Sequence, residues 1–356
     1  MPRLDFRHYL ALSLTQKLRK DVVRQHPLRQ LFWECTLRCN LSCRHCGSDC
    51  HVTANTKDMP KEDFGRVLDS VAAFTDPHNV MINITGGEPL MRPDLEACGR
   101  MIYDKGFPWG IVTNALALTP ERYQRLLQCG LRSMTISLDG LESDHDWMRG
   151  RKGSFERAAA AIKMVVESGE IEFDVVTCVN KRSYRSLNEI KELLIKLGLK
   201  GWRLFTVFPS GRALGDPDMQ LGPEEFRGLM EFIRSTRKEG RIKASYGCEG
   251  FLGNFEGDVR DHFFFCQAGV SVAGILADGS ISACPSIRSD YHQGNIYRDD
   301  FVEVWQNSYK EYRDRSWMRE SEPCRSCKYF RFCQGGAMHL RTSDGRLPVC
   351  HLQDCL

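Results

Sequence analysis

Between residues 31 and 209, short apolar runs alternate with stretches whose apolar positions recur at helical spacing. The runs at 31–34, 80–84, 109–112, 133–137, 171–177 and 202–207 read as strands. Between them Phe64, Val67, Leu68 and Val71 recur at i, i+3, i+4 and i+7, and Leu187, Ile190, Leu194 and Leu197 follow nearly the same pattern. Six strand–helix units in series predict the α/β class and a parallel sheet with right-handed crossovers. The expected form is a partial (β/α)6 barrel of the TIM type spanning 31–215, with its chemistry at the carboxyl ends of the strands. Residues 1–30 are polar and basic and read as a helical segment, with Leu10, Leu12, Leu14 and Leu18 as candidate packing positions. Residues 216–257 read as a helical linker. Its helix covers 221–243 and turns Leu229, Phe232 and Ile233 to the core, and a glycine-rich boundary follows at 247–257. Residues 258–356 form a cysteine-rich domain that opens with a strand–turn–strand pattern at 271–283.

The polar clusters test the barrel expectation from within. Strand one is followed by a cysteine loop, strand two by Thr85-Gly86-Gly87-Glu88-Pro89 and strand three by Thr113-Asn114. Strand four ends in Ser137-Leu138-Asp139-Gly140, strand five runs into Cys178-Val179-Asn180, and strand six into Phe208-Pro209-Ser210-Gly211-Arg212-Ala213. Every cluster falls at the same end of its strand, where turns of no function would be spread over both ends. One site over the barrel mouth is therefore expected.

The cysteine loop carries Cys39, Cys43 and Cys46 at CxxxCxxC spacing. Three thiolates this close cannot all be satisfied by pairing with one another; they suit one iron each of a cubane cluster. A site with one protein ligand missing can bind a reactant, whereas a closed four-ligand site only holds its metal. The bland alternative is a zinc knuckle or three buried free cysteines. Sixteen cysteines in 356 residues would suggest disulfides in an oxidising compartment. No signal-peptide core is visible near the N-terminus and no apolar stretch reaches the length of a membrane span, so a cytoplasmic, metal-binding chain is expected. A formal charge of +3 argues for no polyanionic partner, and no nucleic acid is expected.

CxxxCxxC after strand one, with Gly86-Gly87-Glu88-Pro89 one unit later, resembles the radical S-adenosylmethionine (SAM) superfamily. The resemblance implies a 4Fe-4S cluster on Cys39, Cys43 and Cys46 whose open iron is chelated by SAM. An electron from the cluster then cleaves SAM to methionine and a 5'-deoxyadenosyl radical. It implies that Gly86 and Gly87 let the backbone approach SAM and that Glu88 takes its ammonium. Ser137 contacts the ribose or carboxylate, Asp139 either assists or caps the following turn, and Arg149 pairs with the SAM carboxylate. Asn114 and Asn180 read as structural caps. Arg212 is either a carboxylate binder at the mouth or an exposed loop arginine. Cys98, Cys129 and Cys178 read as buried small hydrophobes, and Cys35 and Cys50 as non-ligands.

Farther on, Cys266, Gly279 and Cys284, then Cys324-x2-Cys327-x5-Cys333 and Cys350, resemble the SPASM extension of the same superfamily over residues 266–350. That resemblance implies one or two auxiliary 4Fe-4S clusters. One would use Cys324, Cys327, Cys333 and Cys350; Cys266 and Cys284 would share in the other. The next cysteine of the pattern is replaced by Ala337. Cys248, Cys355 or His339 then fills the place, or an iron stays open to substrate, or a single auxiliary cluster is present. A zinc ribbon is the competing reading of Cys324–Cys327–Cys333–Cys350.

Relatives with this extension mostly modify peptides or proteins, so a peptide or protein maturase is the leading expectation, with a ferredoxin or flavodoxin as electron donor and an anaerobic or microaerobic host. The sulfatase-maturing branch places an Asp after the second cysteine of the extension. Here Cys284 is followed by Pro285, which disfavours that branch. The alternatives are a radical SAM enzyme acting on a cofactor or small molecule (a tetrapyrrole side chain, or sugar or alcohol oxidation) and, in a different class, a non-catalytic iron–sulfur or zinc protein.

Overall fold

The structure is a computed structural model that describes residues 3–287 and 290–356. Its centre is one ten-stranded sheet, in the order β10-β9-β8-β1-β2-β3-β4-β5-β6-β7. Strands β1 (Gln30–Glu34), β2 (Met81–Thr85), β3 (Trp109–Thr113), β4 (Leu131–Ser137), β5 (Glu172–Val179), β6 (Gly201–Thr206) and β7 (Lys243–Tyr246) run parallel in chain order. Crossover helices follow the strands: Lys61–Phe74, Leu95–Asp104, Pro120–Gln128, Ser154–Ser168, Leu187–Lys196 and Pro223–Glu239. Phe64, Val67, Leu68 and Val71 are buried, and Phe64 stacks on Trp33 of β1 with ring centroids 4.2 Å apart. Trp33, Trp109 and Trp202 are fully buried. The sheet does not close, as expected of a partial barrel.

Three sequence expectations change. The 216–257 segment is not only helical: after Pro223–Glu239 it supplies β7, paired Gly201↔Lys243 through Leu204↔Tyr246. Four residues carry too little alternation to read as a strand; here Ala244 and Tyr246 turn inward. Next, the cysteine-rich region is continuous with the barrel. Its β8 (Val272–Ile275) pairs in parallel with β1, Gln30↔Val272 to Trp33↔Ile275, and β9 (Ser280–Ser282) and β10 (Gly294–Asn295) extend the sheet antiparallel. The auxiliary cysteines are thereby tied to the strand that carries the CxxxCxxC loop.

Last, the N-terminal helix, Phe6–Gln25, packs through Leu12 and Arg19 and not through Leu10, Leu14 and Leu18. Phe6, Leu10, Leu14 and Leu18 recur every four residues and so share a stripe, and that stripe is exposed. Arg19 donates from Nη1 to the Phe332 carbonyl at 2.8 Å, which sets the opposite face against the C-terminal region. Among the described residues no helix is long and apolar enough to cross a membrane.

Candidate active site

The loop after β1 is positioned by backbone before any ligand is considered. The Thr36 hydroxyl donates to Asp58 at 2.6 Å and the Arg38 guanidinium pairs with the same carboxylate at 2.5 Å. The Cys39 N–H donates to the His51 carbonyl at 2.7 Å, and the Arg44 N–H to the Met148 carbonyl at 2.8 Å. The loop brings Cys39, Cys43, Cys46 and Cys50 together against Leu37, Leu41 and Leu116. Burial pushes the Cys39 thiol up to about 12. Cys46 is lowered to about 5, chiefly by a hydrogen bond from the Cys50 thiol, against the opposing effect of burial.

The Gly86-Gly87 turn after β2 lies flush on this loop. The Gly87 N–H donates to Thr36 O at 2.7 Å and the Glu88 N–H to Arg38 O at 2.9 Å. Gly86 has φ 142°, and a Cβ there would overlap the Thr36 carbonyl; one on Gly87 would overlap that of Arg38. The glycines are thus required by the approach of one backbone to another. Gly86→Ala is expected to push the two loops apart and lower the iron retained after anaerobic reconstitution, measured as iron per chain, while the far-UV spectrum stays close to wild type.

The Glu88 carboxylate turns inward: Oε1 accepts from the Leu90 N–H at 3.0 Å and the Thr113 hydroxyl at 2.6 Å, and Oε2 from the Asn114 N–H at 2.7 Å. Burial pushes this carboxyl above the usual range, against those donors. The side chain braces the β2 turn to the end of β3.

Arg149 is likewise committed. Its Nη2 pairs with Asp139 Oδ2 at 2.6 Å and its Nη1 donates to Cys43 Sγ at 3.7 Å, with both residues nearly excluded from solvent. The guanidinium serves a buried aspartate and a cysteine sulfur. The Asp139 side chain does not cap the following helix, Glu142–Arg149. Its Oδ1 accepts from the Cys178 N–H at 2.9 Å, and its own N–H donates to His145 Nδ1 at 3.0 Å. Burial would raise its carboxyl; Arg149, His45, His145 and the Cys178 N–H together outweigh this and hold it below the usual range. His45, inside the cysteine motif, places Nε2 4.0 Å from Asp139 Oδ2, and burial lowers its ring to about 4. The donor atoms of His45, Asp139 and Cys178 lie within 4.8 Å of one another. Cys178 therefore belongs to the site and is not only a core hydrophobe. Ser137 closes β4 beside them, nearly buried.

Asn180 caps the short helix Lys181–Tyr184, and Asn114 caps its own turn through the Leu116 N–H while its Nδ2 donates to Asn40 Oδ1 at 2.9 Å. Arg212 takes a role that the sequence left undecided. Its Nε donates to Cys43 O at 2.7 Å, its Nη1 to Asp49 Oδ1 at 2.7 Å and to Cys50 O at 3.1 Å. It staples the cysteine loop from the end of β6.

The remaining cysteines fall into two groups. Cys324, Cys327, Cys333 and Cys350 line one small cavity together with Phe251, Phe330, Leu340, Leu347 and Leu352. Arg341 donates to Cys324 Sγ at 3.2 Å. Cys248, on an exposed rim, interacts with Cys266 and Cys284. At Cys266 burial raises the thiol, but the Arg315 charge and hydrogen bond and the Met338 and Ala268 amides bring it below its ordinary value. Ala337 is fully buried next to Met338. Cys355 interacts with Cys350 of the four-thiol group. His339 is held edge-on to Phe208 at 6.1 Å.

Residues 33–194 match the family model described as the radical SAM superfamily, and residues 266–328 match the one described as an iron–sulfur cluster-binding domain, SPASM. The chain belongs to the radical SAM superfamily. Radical SAM enzymes of this kind use SAM and 4Fe-4S clusters, and the three-thiol loop with its apolar walls and sulfur-directed donors fits such a cluster. The chain is 27% identical over 325 residues to the AdoMet-dependent heme synthase of Methanosarcina barkeri, covering 86% of this chain and 90% of that one. It is 28% identical over 326 residues to the mycofactocin maturase MftC of Mycolicibacterium smegmatis, covering 90% and 80%. In fold it is similar to Streptococcus suis SuiB bound to S-adenosylmethionine, with a TM-score of 0.70 and 18% identity over 95% of this chain and 80% of that one.

Proposed function

We propose that this radical SAM enzyme abstracts hydrogen from a peptide or protein and acts as a post-translational maturase. The observation that carries the radical step is the convergence of Cys39, Cys43 and Cys46 in one apolar pocket beneath the β2 turn. These three thiols would hold the cluster. When bound, the cluster supplies the electron that splits SAM into methionine and the hydrogen-abstracting 5'-deoxyadenosyl radical. The chain's own part is positional. Gly86 and Gly87 set the floor of the pocket, Glu88 locks that floor to β3, and Ser137 lies at the rim where a ribose or carboxylate would rest. Arg149 directs positive charge at the Cys43 sulfur and Asp139 holds Arg149 in place. The apolar walls exclude water that would quench a carbon radical.

In the same reading, Cys324, Cys327, Cys333 and Cys350 would hold one auxiliary cluster. Cys248, Cys266 and Cys284 would hold a second one that leaves an iron free, since Ala337 offers no ligand and Cys355 lies with the other group. A peptide or protein substrate is supported by the likeness to the mycofactocin maturase along most of both chains. Pro285 after Cys284 supplies no carboxylate base, which argues against a sulfatase-maturing activity. The second reading, a tetrapyrrole or other small-molecule substrate, is favoured by the equal likeness to heme synthases.

The test is anaerobic reconstitution followed by SAM and dithionite. The expected results are 5'-deoxyadenosine and about eight to twelve irons per chain, about four for each cluster. Zinc in place of iron, with no nucleoside released, would leave only a metal-binding protein. Mass spectrometry of peptides encoded beside the gene, against an iron-coproporphyrin control, separates the two substrate classes. A mass change confined to the porphyrin defeats the maturase reading.

A further inference from the structure

The N-terminal helix, Phe6–Gln25, is held to the protein by one face. Arg19 Nη1 donates to the Phe332 carbonyl at 2.8 Å, Gln16 Nε2 donates to the Arg331 carbonyl at 2.8 Å, and Leu12 is fully buried. On the opposite face Phe6, Leu10, Leu14 and Leu18 are 78%, 48%, 68% and 66% exposed. At four-residue spacing they make a convex ridge about 18 Å long. Basic side chains run through this ridge and along its edges. Arg3, Arg7, Lys17, Lys20 and Arg24 are exposed, and the Arg331 guanidinium lies 4.8 Å from the Tyr9 ring at one edge. At 3.6 residues per turn Arg7 and Lys17 share the arc of the leucines. The acids nearby are already engaged: Asp5 with His8, and half-buried Asp21 with Arg24. The whole chain has a formal charge of only +3, so this helix is basic out of proportion to its length.

We propose that this ridge is a docking surface for an anionic phospholipid membrane. The helix lies flat among the headgroups. Phe6, Leu10, Leu14 and Leu18 reach the acyl boundary, while Arg7, Lys17 and Lys20 lay their stems along apolar surface and place their charges at the lipid phosphates. Shape and charge both select this occupant. A convex ridge matches a flat lipid surface, whereas a peptide helix would need a groove to lie in. A second copy of the chain, paired antiparallel about the middle of the stripe, would set Arg7 against Lys17 at both ends, and like charges facing across an interface oppose association. One helix with no lipid anchor gives reversible attachment, and the electrostatic part of it is screened by salt. The proposal does not depend on the assignment of any cluster ligand.

The experiment is flotation of the full chain, reconstituted anaerobically, with vesicles of phosphatidylcholine plus phosphatidylglycerol and with vesicles of phosphatidylcholine alone. Wild type is expected to float with the anionic vesicles, and the bound fraction to fall more than about tenfold in high salt or on phosphatidylcholine alone. Leu14→Glu with Leu18→Glu is expected to abolish flotation. Arg7→Gln with Lys17→Gln and Lys20→Gln is expected to weaken it on anionic vesicles only. All five positions are exposed, so iron per chain and the far-UV spectrum are expected to match wild type in both variants. Wild type that stays with the soluble fraction overturns the proposal, as does equal flotation of the double glutamate variant. A wild-type dimer that the same variant converts to a monomer would assign the ridge to a second copy and overturn it too.

Discussion

Replacing Cys43 by alanine is expected to reduce 5'-deoxyadenosine formation to background and to remove about four irons per chain, leaving those of the C-terminal region. Cys43 lies between the other two thiols in sequence and is nearly buried. Its sulfur also accepts from the Arg149 guanidinium, so its loss removes both a proposed iron ligand and one of that guanidinium's acceptors, leaving it on Asp139. Two thiols and a methyl group cannot hold the cubane corner that SAM needs. The comparison is iron per chain and nucleoside per hour for wild type and variant, prepared side by side without oxygen. Turnover persisting in a variant with full iron would overturn the assignment of the three ligands.

The largest effect on stability is expected at Asp139. Its carboxylate is fully buried and pairs with the Arg149 guanidinium, whose Nε has no hydrogen-bond partner among the described residues. Removing one member of a buried ion pair leaves an uncompensated charge and costs about 3–5 kcal/mol. At roughly 1–2 °C per kcal/mol for a chain of 356 residues, Asp139→Ala is expected to lower the melting temperature of the cluster-free protein by roughly 5 °C. The sign with pH follows from the depressed carboxyl. The contribution is complete above the ordinary aspartate range and is lost as pH falls through the lower folded-state value. The deciding comparison is the double variant Asp139→Ala with Arg149→Met. Removing both charges is expected to restore much of the loss. A double variant as unstable as the single one would show that the aspartate acts through its bonds to Cys178 and His145 instead.

The auxiliary groups show why an unoccupied-looking cysteine count misleads. Fourteen residues of local pattern cannot say whether Cys248 or Cys355 stands near Ala337. In the fold Cys248 follows β7 and interacts with Cys266 and Cys284, whereas Cys355 interacts with Cys350. Four of the candidate ligands line a largely apolar cavity with Phe251, Phe330, Leu340, Leu347 and Leu352, beside His351 and Gln353.

The succession of strands and helices, the CxxxCxxC loop, the glycine turn and the SPASM pattern were legible along the chain. Each is a local device. Three thiols within eight residues must share a site, period-two and period-3.6 patterns mark elements, and parallel crossovers force the polar ends onto one rim. The roles of single side chains were not legible. Glu88 turning toward Asn114, Arg149 paired with Asp139, Arg212 stapling Cys43 and Cys50, and β8 joining β1 each depend on segments from ten to more than two hundred residues apart. A burial cost decides each of them. A charged or polar group leaving water takes the partner that packing brings within reach, and spacing along a sequence holds no record of that distance.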